Sequence, residues 1–405
     1  MTERVVIVGA GHAAGQIVAS LKQQQFAGRI VLVGDEPYFP YQRPPLSKKF
    51  LAGQMSAERL YFKPASFYDD DRIDVRLDTH VDSIERNAKQ VTTTEGERIG
   101  YDKLILALGS RARKVQVPGS ELAGVHYLRG IADVERIQAN LSKGKRLVII
   151  GAGYIGLEVA AVCRELGLDV TVIEMADRVM SRVVSPHVSD FYQLEHNNHG
   201  VKLLLSTRLA AFQGKKRVKS VATDNGHIIP ANLVVVGVGI VPNTEIAAAA
   251  GLDVDDGIIV DDQCQTSDPD VYAVGDCTSH PNSIYRRRLR LESVHNALEQ
   301  AKTAASNICG IEAHYSQVPW FWSDQYDLKL QIAGLSADYD EVVLRGEPAS
   351  RSFACLYLKD GSLIAVDAIN SPHEFMQSKA LIANHAVCDP ERLADTTVAL
   401  KDQMQ

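Results

Sequence analysis

Apolar runs and helical stretches alternate in the same order at two places in the chain. The first reads RVVIVGAGHAAGQIVASLKQQQFAGRIVLVGDE and predicts a strand over residues 5–8, a helix to about residue 25 and a second strand over 30–33. The second reads RLVIIGAGYIGLEVAAVCRELGLDVTVIE, with strands over 147–150 and 170–173. Short apolar runs joined by a helix are typical of strands in a parallel sheet. The pattern therefore predicts two strand–helix–strand units.

A glycine-rich turn follows the first strand of each unit. The motif positions are Gly9, Gly11 and Ala14 in the first unit and Gly151, Gly153 and Gly156 in the second. In such a turn the first glycine permits the bend, the second lets the backbone approach a pyrophosphate, and the third small residue keeps the helix close to the sheet. The unpaired N–H groups of the helix then face the phosphates. One such turn is weak support, but two complete units predict two dinucleotide-binding domains of the Rossmann type.

An acidic side chain ends the second strand of each unit. Asp35 and Glu36 stand there in the first unit, and Glu174 stands there in the second. A carboxylate at this position accepts hydrogen bonds from ribose hydroxyl groups. Because it would also repel a 2′-phosphate, Glu174 favours NADH over NADPH as the nucleotide of the second unit.

The remaining segments complete an α/β plan and indicate where the domains divide. Residues 101–119 hold a buried strand, a basic turn and a Pro-Gly pair, and residues 231–243 repeat the strand and turn, so both segments are interpreted as domain crossovers. Residues 266–277 deliver Asp276 at the carboxyl end of a strand, which is the ligand edge of an open α/β sheet. From about Pro319 the pattern alternates, which predicts a small α+β domain.

Composition narrows the class of protein. The 405 residues carry a net charge of −7, which disfavours a generic nucleic-acid binder. The chain begins directly with a strand pattern, without a secretory signal, and its apolar runs fall short of a membrane span, so we expect a cytoplasmic protein. The six cysteines form no C-x-x-C pair, and their spacing favours reduced, mostly buried thiols over a zinc or iron–sulfur site. We therefore expect no metal.

Several longer strings carry a resemblance to a known family. They are RPPLSK (43–48), GAGYIGLEVAA (151–161), TSDPDVYAVGDC (266–277), ESVHNALEQA (292–301) and PWFWSDQY (319–326). Together they make the chain similar to flavoproteins of the glutathione-reductase class. More narrowly, it resembles the NADH-dependent ferredoxin reductases of bacterial oxygenase systems, and the resemblance covers essentially the whole chain.

The resemblance implies an α/β fold with two Rossmann-like dinucleotide-binding domains and a small C-terminal α+β domain. It implies a discontinuous FAD-binding domain at 1–110 and 243–318, an NADH-binding domain at 111–242 and the C-terminal domain at 319–405. The residues implied for FAD are Gly9, Gly11, Ala13, Ala14, Asp35 or Glu36, Arg43, Lys48, Val81, Arg129, Asp276 and Val294. Those implied for NADH are Gly151, Gly153, Gly156, Glu158, Glu174 and Gly239.

The segment PYFPYQRPPLSKKF (37–50) bears on how electrons leave the flavin. Disulfide reductases of this class pass electrons to an internal cysteine pair, and this segment has no cysteine. Flavin accepts a hydride as two electrons and can release them singly, so a one-electron acceptor such as a 2Fe-2S ferredoxin is the expected partner. The family implies that Lys48 lies beside the flavin and that Glu158 orients it, as the catalytic pair. A solvated lysine and a helix-surface glutamate are the alternatives.

Two further features concern that partner. Four arginines lie within five residues of one another: Arg286, Arg287, Arg288 and Arg290. They indicate either a docking patch for an acidic ferredoxin or a solvated face without a role. The resemblance also implies that Trp322 lies at the exposed flavin edge, between flavin and acceptor, and core packing is the alternative.

These expectations converge on an FAD-dependent NADH:ferredoxin reductase. Its ferredoxin would supply a haem-thiolate monooxygenase or a ring dioxygenase. A reductase of rubredoxin or of a small organic radical would use the same scaffold and stays an alternative. An NADH-sensing interaction protein similar to apoptosis-inducing factor is a further alternative, and it would be reduced only slowly by NADH.

Overall fold

The computed structural model describes residues 3–403. The α-helices are α1 (His12–Gln23), α2 (Ile131–Gln138), α3 (Tyr154–Glu165), α4 (Pro186–Asn198), α5 (Glu245–Ala249), α6 (Val294–Ile308), α7 (Pro372–Ala383) and α8 (Pro390–Ala394). Short 3-10 helices lie at Pro44–Ser47, Ala57–Leu60, Ala65–Phe67, Arg86–Ala88, Pro348–Ser350 and Leu400–Gln403.

The first twelve strands are β1 (Arg4–Val8), β2 (Arg29–Val33), β3 (Ile73–Arg76), β4 (Val81–Glu85), β5 (Gln90–Thr93), β6 (Arg98–Gly100), β7 (Lys103–Leu106), β8 (Ser110–Ala112), β9 (Val125–Tyr127), β10 (Arg146–Ile150), β11 (Asp169–Ile173) and β12 (Lys202–Leu204). The later strands are β13 (Leu209–Gly214), β14 (Val218–Thr223), β15 (Ile228–Pro230), β16 (Leu233–Val236), β17 (Ile240–Pro242), β18 (Ile258–Ile259), β19 (Val271–Ala273), β20 (Thr278–Asn282), β21 (Arg287–Leu289), β22 (Trp320–Gln325), β23 (Leu328–Gly334), β24 (Glu341–Glu347), β25 (Ser352–Lys359) and β26 (Ser362–Ile369).

The described residues form two compact units, each built from segments that are separate in sequence. The first unit comprises residues 3–43, Glu58–Arg111 and Val241–Pro319. The second unit comprises Pro44–Ala57, Ala112–Ile240 and residues 320–403. The three domain boundaries drawn from the sequence stay a prediction.

A five-stranded parallel sheet forms the centre of the first unit. Its spatial order is β19-β7-β1-β2-β3, and Val5 lies between Ile30 and Lys103 of the neighbouring strands. β1 and β2 are valine- and isoleucine-rich runs, and four of the five residues in β2 are buried. Such runs suit a parallel sheet that is covered on both faces. Helices α1 and α6 pack against each other, and Ile17 and Ala301 share a core cluster with the sheet.

The second unit contains a parallel sheet of the same plan. Its order is β12-β11-β10-β16-β9, so β10 takes the central place that β1 has in the first unit. Helix α3 follows β10 and packs on β10 and β11. Both sheets therefore present a glycine turn at the carboxyl end of their central strand. The two predicted strand–helix–strand units are confirmed.

The C-terminal segment of the second unit is an antiparallel sheet with the order β22-β23-β26-β25-β24, covered by α7. Strand β22 alternates along its second half: Ser323 and Gln325 are buried, whereas Trp322 and Asp324 are partly exposed. Successive side chains of a strand point to opposite faces, so two polar side chains face the interior here. A buried polar group requires a hydrogen-bond partner. Ser323 donates to Glu158, and Gln325 donates to Ser323.

Among residues 3–403, none of the helices combines the length and the apolar character that crossing a membrane requires.

Candidate active site

The first glycine turn has the geometry that a pyrophosphate requires. Gly9 has a φ of +110°, and a Cβ atom there would lie 2.2 Å from the carbonyl oxygen of Ala107, so only glycine fits. Gly11 precedes α1 without a side-chain cap, and the space at its Cβ position is open. The first N–H groups of α1 thus border an open cradle, which fits the phosphates of FAD. Ala13 and Ala14 are buried, so the helix lies tight against its surroundings.

The second glycine turn repeats this geometry more tightly. Gly151 has a φ of +100°, and a Cβ atom there would lie 2.4 Å from the carbonyl oxygen of Gly237. A Cβ atom at Gly156 would lie 2.1 Å from the carbonyl oxygen of Gly151, so α3 approaches the turn more closely than a side chain permits. The Cβ positions of Gly153 and Gly239 face open space. This cradle fits the phosphates of a nicotinamide dinucleotide.

The acid of the second unit is held by backbone groups. Glu174 accepts hydrogen bonds from the N–H of Ala152 at 2.7 Å and from the N–H of Ala176 at 2.9 Å, one on each carboxylate oxygen. Each oxygen of a carboxylate has two lone pairs, so both keep capacity for a ribose hydroxyl group. The arrangement fixes the carboxylate just beyond β11.

The acids of the first unit differ from each other. Glu36 is bound by two side chains: Arg43 lies 2.6 Å from one carboxylate oxygen, and the Tyr41 hydroxyl donates to the other at 2.6 Å. Arg43 also donates to the Tyr41 hydroxyl at 2.9 Å. Asp35 is exposed. Which of the two acids contacts FAD stays a prediction, as does the role of Arg43.

The other residues implied for FAD lie at element ends of the first unit. Asp276 follows β19, and the Ser110 hydroxyl donates to its Oδ2 at 2.7 Å. Val294 is the first residue of α6, which Ser293 caps with its hydroxyl group. The side chain of Val81 is buried in the core at the start of β4, so a cofactor contact there would use the backbone.

Lys48 and Glu158 meet in the second unit as a buried ion pair. Lys48 Nζ lies 2.8 Å from Glu158 Oε2, and the two side chains are 17% and 1% exposed. Ser47 Oγ donates to the same oxygen at 2.5 Å, and Ser323 Oγ donates to Oε1 at 2.7 Å. The carboxylate therefore accepts from one cation and two hydroxyl groups. Neither a solvated lysine nor a helix-surface glutamate describes this pair.

This pair is electrostatically strong because little water reaches it. Coulombic attraction between charges about 3 Å apart rises several-fold as the effective dielectric constant falls from that of water toward that of a protein. The same burial makes each partner dependent on the other, since removing one leaves an uncompensated charge. Lys48 can therefore present a fixed positive charge, and Glu158 sets the direction in which it points.

Several partners of the site residues were not identified from the sequence, among them Ser47, Ser323 and Ser110. Ser47 directly precedes Lys48 in RPPLSK, and a serine beside a predicted functional lysine is a usable signal. Ser323 belongs to the string WFWSDQ, where Ser323, Asp324 and Gln325 are three consecutive polar residues, so no alternation in the sequence marks Ser323 as facing the interior. Ser110 carries no comparable signal.

Two further residues implied for the cofactors, Trp322 and Arg129, belong to the second unit. Trp322 is partly exposed on β22, and its ring centroid lies 5.4 Å from that of Trp320. Arg129 lies between β9 and α2, and its backbone N–H donates to Asp133 at 3.0 Å. The cofactor contacts of Trp322 and Arg129 stay predictions.

The four clustered arginines have different surroundings. Arg288 donates to two backbone carbonyl groups. Arg290 is 17% exposed and pairs with two carboxylates. Arg286 and Arg287 are exposed, as is Arg288. Arg288 and Arg290 have local partners, and the docking hypothesis stays a prediction.

The cysteine side chains contribute to packing in the interior. All six are free thiols; five are buried, and Cys309 is partly buried. Burial raises the pKa of Cys277 to about 11 and the pKa of Cys163 to about 12, so these thiols stay protonated at neutral pH. Within residues 3–403, no group of three or more His, Cys, Asp or Glu side chains is arranged to hold a metal ion.

Comparisons with known proteins agree with this arrangement. The family model for pyridine nucleotide-disulphide oxidoreductases matches residues 3–301, and a model for a reductase C-terminal region matches residues 320–404. Rhodocoxin reductase of Rhodococcus erythropolis is 44% identical over 98% of this chain and 93% of its own. Putidaredoxin reductase of Pseudomonas putida is 41% identical over 99% and 96%. A rubredoxin-NAD(+) reductase of Pseudomonas putida is 40% identical over 91% and 96%.

Two solved structures are similar throughout. The covalent putidaredoxin reductase–putidaredoxin complex matches with a TM-score of 0.96 at 41% identity, over 99% of this chain and 97% of the other. The ferredoxin reductase for the CYP199A2 system of Rhodopseudomonas palustris matches with a TM-score of 0.96 at 41% identity, over the whole of both chains. The comparisons confirm the predicted fold class, the oxidoreductase class, the resemblance to ferredoxin reductases, and FAD with a nicotinamide dinucleotide as cofactors. The chain belongs to the pyridine nucleotide-disulphide oxidoreductase family.

Proposed function

We propose that this protein is an FAD-dependent NADH:ferredoxin reductase of an oxygenase system. The observation that carries the proposal is the buried Lys48–Glu158 pair. Lys48 lies within the segment in which disulfide reductases of this class have their cysteine pair, and this chain has no cysteine there. A fixed cation in place of a thiol relay favours electron transfer to an external carrier. The ferredoxin reductases among the similar proteins support the same conclusion.

When bound, FAD accepts a hydride from NADH as an electron pair and can release the electrons singly. The turn at Gly9 and Gly11 would bind its pyrophosphate through backbone N–H groups. Asp276, already oriented by Ser110, would accept hydrogen bonds from the ribityl hydroxyl groups. The start of α6 at Val294 would direct helix N–H groups toward the flavin ring, where they stabilise negative charge.

The Lys48–Glu158 pair would act on the transfer of hydride. The Lys48 ammonium group would stabilise negative charge arriving in the flavin ring, and Glu158 would hold that group in one direction. On the nicotinamide side, the turn at Gly151 and Gly153 would bind the pyrophosphate of NADH. Glu174 would accept the ribose hydroxyl groups and disfavour the 2′-phosphate of NADPH.

The proposed partner is an acidic 2Fe-2S ferredoxin that supplies an oxygenase. Exposed Arg286 and Arg287 would attract it and steer a transient complex. Replacing both by glutamate should weaken ferredoxin binding and reduce its dependence on salt. The matched control is the same double charge reversal at the exposed residues Lys215 and Lys216. Equal behaviour of the two variants would reject the docking patch.

Rapid-mixing kinetics test the proposal. The holoenzyme is reduced with NADH or NADPH in a stopped-flow instrument, and the reduced protein is then mixed with a panel of 2Fe-2S ferredoxins, with rubredoxin, or with buffer alone. We expect fast reduction by NADH, slower reduction by NADPH, and fast reoxidation by at least one ferredoxin. Failure of every ferredoxin to reoxidise the reduced protein would contradict the proposal.

A rubredoxin reductase is the second candidate, because a rubredoxin-NAD(+) reductase is 40% identical over 91% of this chain. Faster reoxidation by rubredoxin than by any ferredoxin would favour it. Slow reduction by NADH would instead favour the interpretation as an NADH-sensing interaction protein.

A further inference from the structure

A chain of hydrogen bonds leads from the Glu158 carboxylate to the surface of the second unit. Ser323 Oγ donates to Glu158 at 2.7 Å, and Gln325 Nε2 donates to Ser323 Oγ at 3.2 Å. Gln325 Oε1 lies 2.8 Å from His196 Nε2, and His196 Nδ1 lies 3.2 Å from the hydroxyl oxygen of Tyr326. The three middle side chains are at most 1% exposed, whereas Tyr326 lines an open surface pocket.

The carboxylate fixes the direction of each bond in this chain. An ionised carboxylate only accepts, so the single hydroxyl proton of Ser323 points to Glu158. The Ser323 oxygen then accepts from the amide nitrogen of Gln325, which turns the amide oxygen toward His196. Because that oxygen also only accepts, the proton of a neutral imidazole must be on Nε2.

His196 is held neutral by its surroundings. Burial lowers the pKa of His196 to about 4, the hydrogen bond with Gln325 opposes this, and the nearby ring of His199 lowers the pKa further. A neutral imidazole has one N–H and one bare nitrogen, so Nδ1 accepts from Tyr326 when Nε2 is protonated. The opposite tautomer would rotate the Gln325 amide and draw the Ser323 proton away from Glu158. Only the arrangement with the proton on Nε2 supplies Glu158 with its third donor.

We propose that His196 and Gln325 are positioning residues for the Lys48–Glu158 pair. They direct the Ser323 proton to Glu158 Oε1. The other oxygen of that carboxylate, Oε2, then stays directed at Lys48 Nζ, 2.8 Å away. The amide of Gln325 cannot pass a proton onward without rearranging, so the chain orients the carboxylate and does not conduct protons. The inference rests on the proposed function only for the role of the pair in flavin reduction.

The first test reads the tautomer directly, without turnover. The holoenzyme is labelled with ¹⁵N-histidine, and the His196 resonances are assigned by their loss in His196→Gln. We expect a proton on Nε2, a bare Nδ1, and no titration of this ring as pH falls from 8 to 5. A protonated Nδ1 with a bare Nε2, or titration near the ordinary pKa of histidine, would overturn the inference.

The second test changes the donor while keeping the fold. His196→Leu removes the donor to Gln325, and His196→Gln restores an N–H at a similar place. We expect the limiting rate of flavin reduction by NADH to fall about tenfold in the leucine variant, the effect of about one net hydrogen bond. The dissociation constant for NADH should not change, and the glutamine variant should recover most of the rate. A rate in His196→Leu equal to that of the unchanged protein would overturn the inference.

His199→Leu is the matched control. His199 stacks on Tyr326 with ring centroids 3.7 Å apart, but its Nδ1 bonds to the backbone carbonyl of Glu195 and it is outside the chain. Its loss should leave the rate unchanged. Recovery of His196→Leu by added imidazole with a solvent isotope effect would indicate proton transfer and overturn positioning.

The two proposals fail separately. Neither test uses an iron–sulfur protein, so the absence of ferredoxin turnover would reject the proposed function and leave the tautomer and the NADH reduction rates to judge the positioning role. Conversely, a wrong tautomer together with rapid ferredoxin turnover would reject the positioning role alone.

Discussion

The two glycine turns occupy the same place in two sheets of the same order, yet their helices carry different chemistry. Two residues after the third motif position, α1 has Gln16 and α3 has Glu158. Gln16 donates to Ser20 of its own helix at 3.0 Å, whereas Glu158 binds Lys48 at 2.8 Å from outside its helix. One repeated scaffold therefore provides two phosphate cradles, and a single side-chain position on the helix distinguishes a structural contact from a charged site.

The comparison extends to how each turn is packed. The third motif position is Ala14 in the first unit, where a methyl group is accommodated and fully buried. In the second unit a Cβ atom at Gly156 would lie 2.1 Å from a backbone oxygen. A backbone oxygen has little freedom to move aside, so the second helix is more closely joined to its turn than the first. An added methyl group at the third motif position should therefore disturb the second turn more than the first turn is disturbed by the methyl group it already holds.

Loss of the cation should have the largest effect. Lys48→Ala leaves Glu158 buried with two hydroxyl donors and no positive charge, which should cost about 3 kcal/mol of stability. We expect flavin reduction by NADH to slow about a hundredfold, as when a preorganised electrostatic group is removed from an active site. Stopped-flow reduction gives the rate, and urea unfolding gives the stability.

Two matched variants control that result. Lys49→Ala removes the exposed neighbouring lysine and should leave both quantities unchanged. Gln16→Ala, at the equivalent position of the first unit, should change stability by less than about 0.5 kcal/mol. An unchanged reduction rate in Lys48→Ala would remove the role assigned to that side chain.

The packing of the turns gives the second prediction. Gly156→Ala forces a methyl group onto the Gly151 carbonyl oxygen and should destabilise the second unit by about 2 kcal/mol through overpacking, with weaker NADH binding. The reciprocal change, Ala14→Gly, should cost only about 1 kcal/mol, the helix-propensity difference. Thermal unfolding and NADH titration measure both. If Gly156→Ala is the milder of the two, the two turns do not differ as described.

The sequence was sufficient for the parts of the molecule that depend on local pattern. Apolar runs and small residues at fixed spacing predicted both parallel-sheet units and both turns, because those features are set within about thirty residues. The partners of Glu158 are different. Ser323 lies 165 residues from Glu158, and His196 lies 129 residues from Gln325, and only the folded chain brings them together. No local pattern reports such a contact.

Cofactor choice gives the third prediction, because the acid of each unit is held differently. Glu174 is held by two backbone N–H groups and Glu36 by the side chains of Arg43 and Tyr41. Glu174→Gln keeps an acceptor but removes the negative charge, so the preference for NADH over NADPH should fall about tenfold. The ratio of kcat/KM for the two nucleotides measures it, and an unchanged ratio would mean that Glu174 does not select the nucleotide.

Glu36→Gln is the corresponding change in the first unit. It should leave the ratio of the two nucleotides as it was and weaken retention of FAD instead, because the first unit is the one proposed to bind FAD. Dialysis followed by flavin absorbance measures that retention. Loss of nucleotide preference in this variant would contradict the assignment of the two units.

The second unit contains another buried acid, and its partner differs from that of Glu158. Asp367 on β26 is 1% exposed and accepts a short hydrogen bond from the Tyr357 hydroxyl, a neutral group. Burial raises the pKa of Asp367 to about 7, and the hydrogen bond from Tyr357 offsets this only in part. An acid without a cation beside it thus favours its neutral form, whereas the Lys48 ammonium group compensates the charge of Glu158.

That difference gives the smallest predicted effect, and its sign can be stated. In the unfolded chain Asp367 ionises near its ordinary pKa of 3.8, so between about pH 4 and pH 7 the folded protein holds a proton that the unfolded chain has lost. Stability therefore falls as pH rises through this window. Asp367→Asn keeps the shape and the hydrogen bond but cannot titrate. Urea unfolding at each pH measures the stability of the unchanged protein relative to this variant. That difference should drop by roughly 1 kcal/mol between pH 6 and pH 8. A constant difference would mean that this acid is compensated after all, and that the contrast with Glu158 is not one of charge.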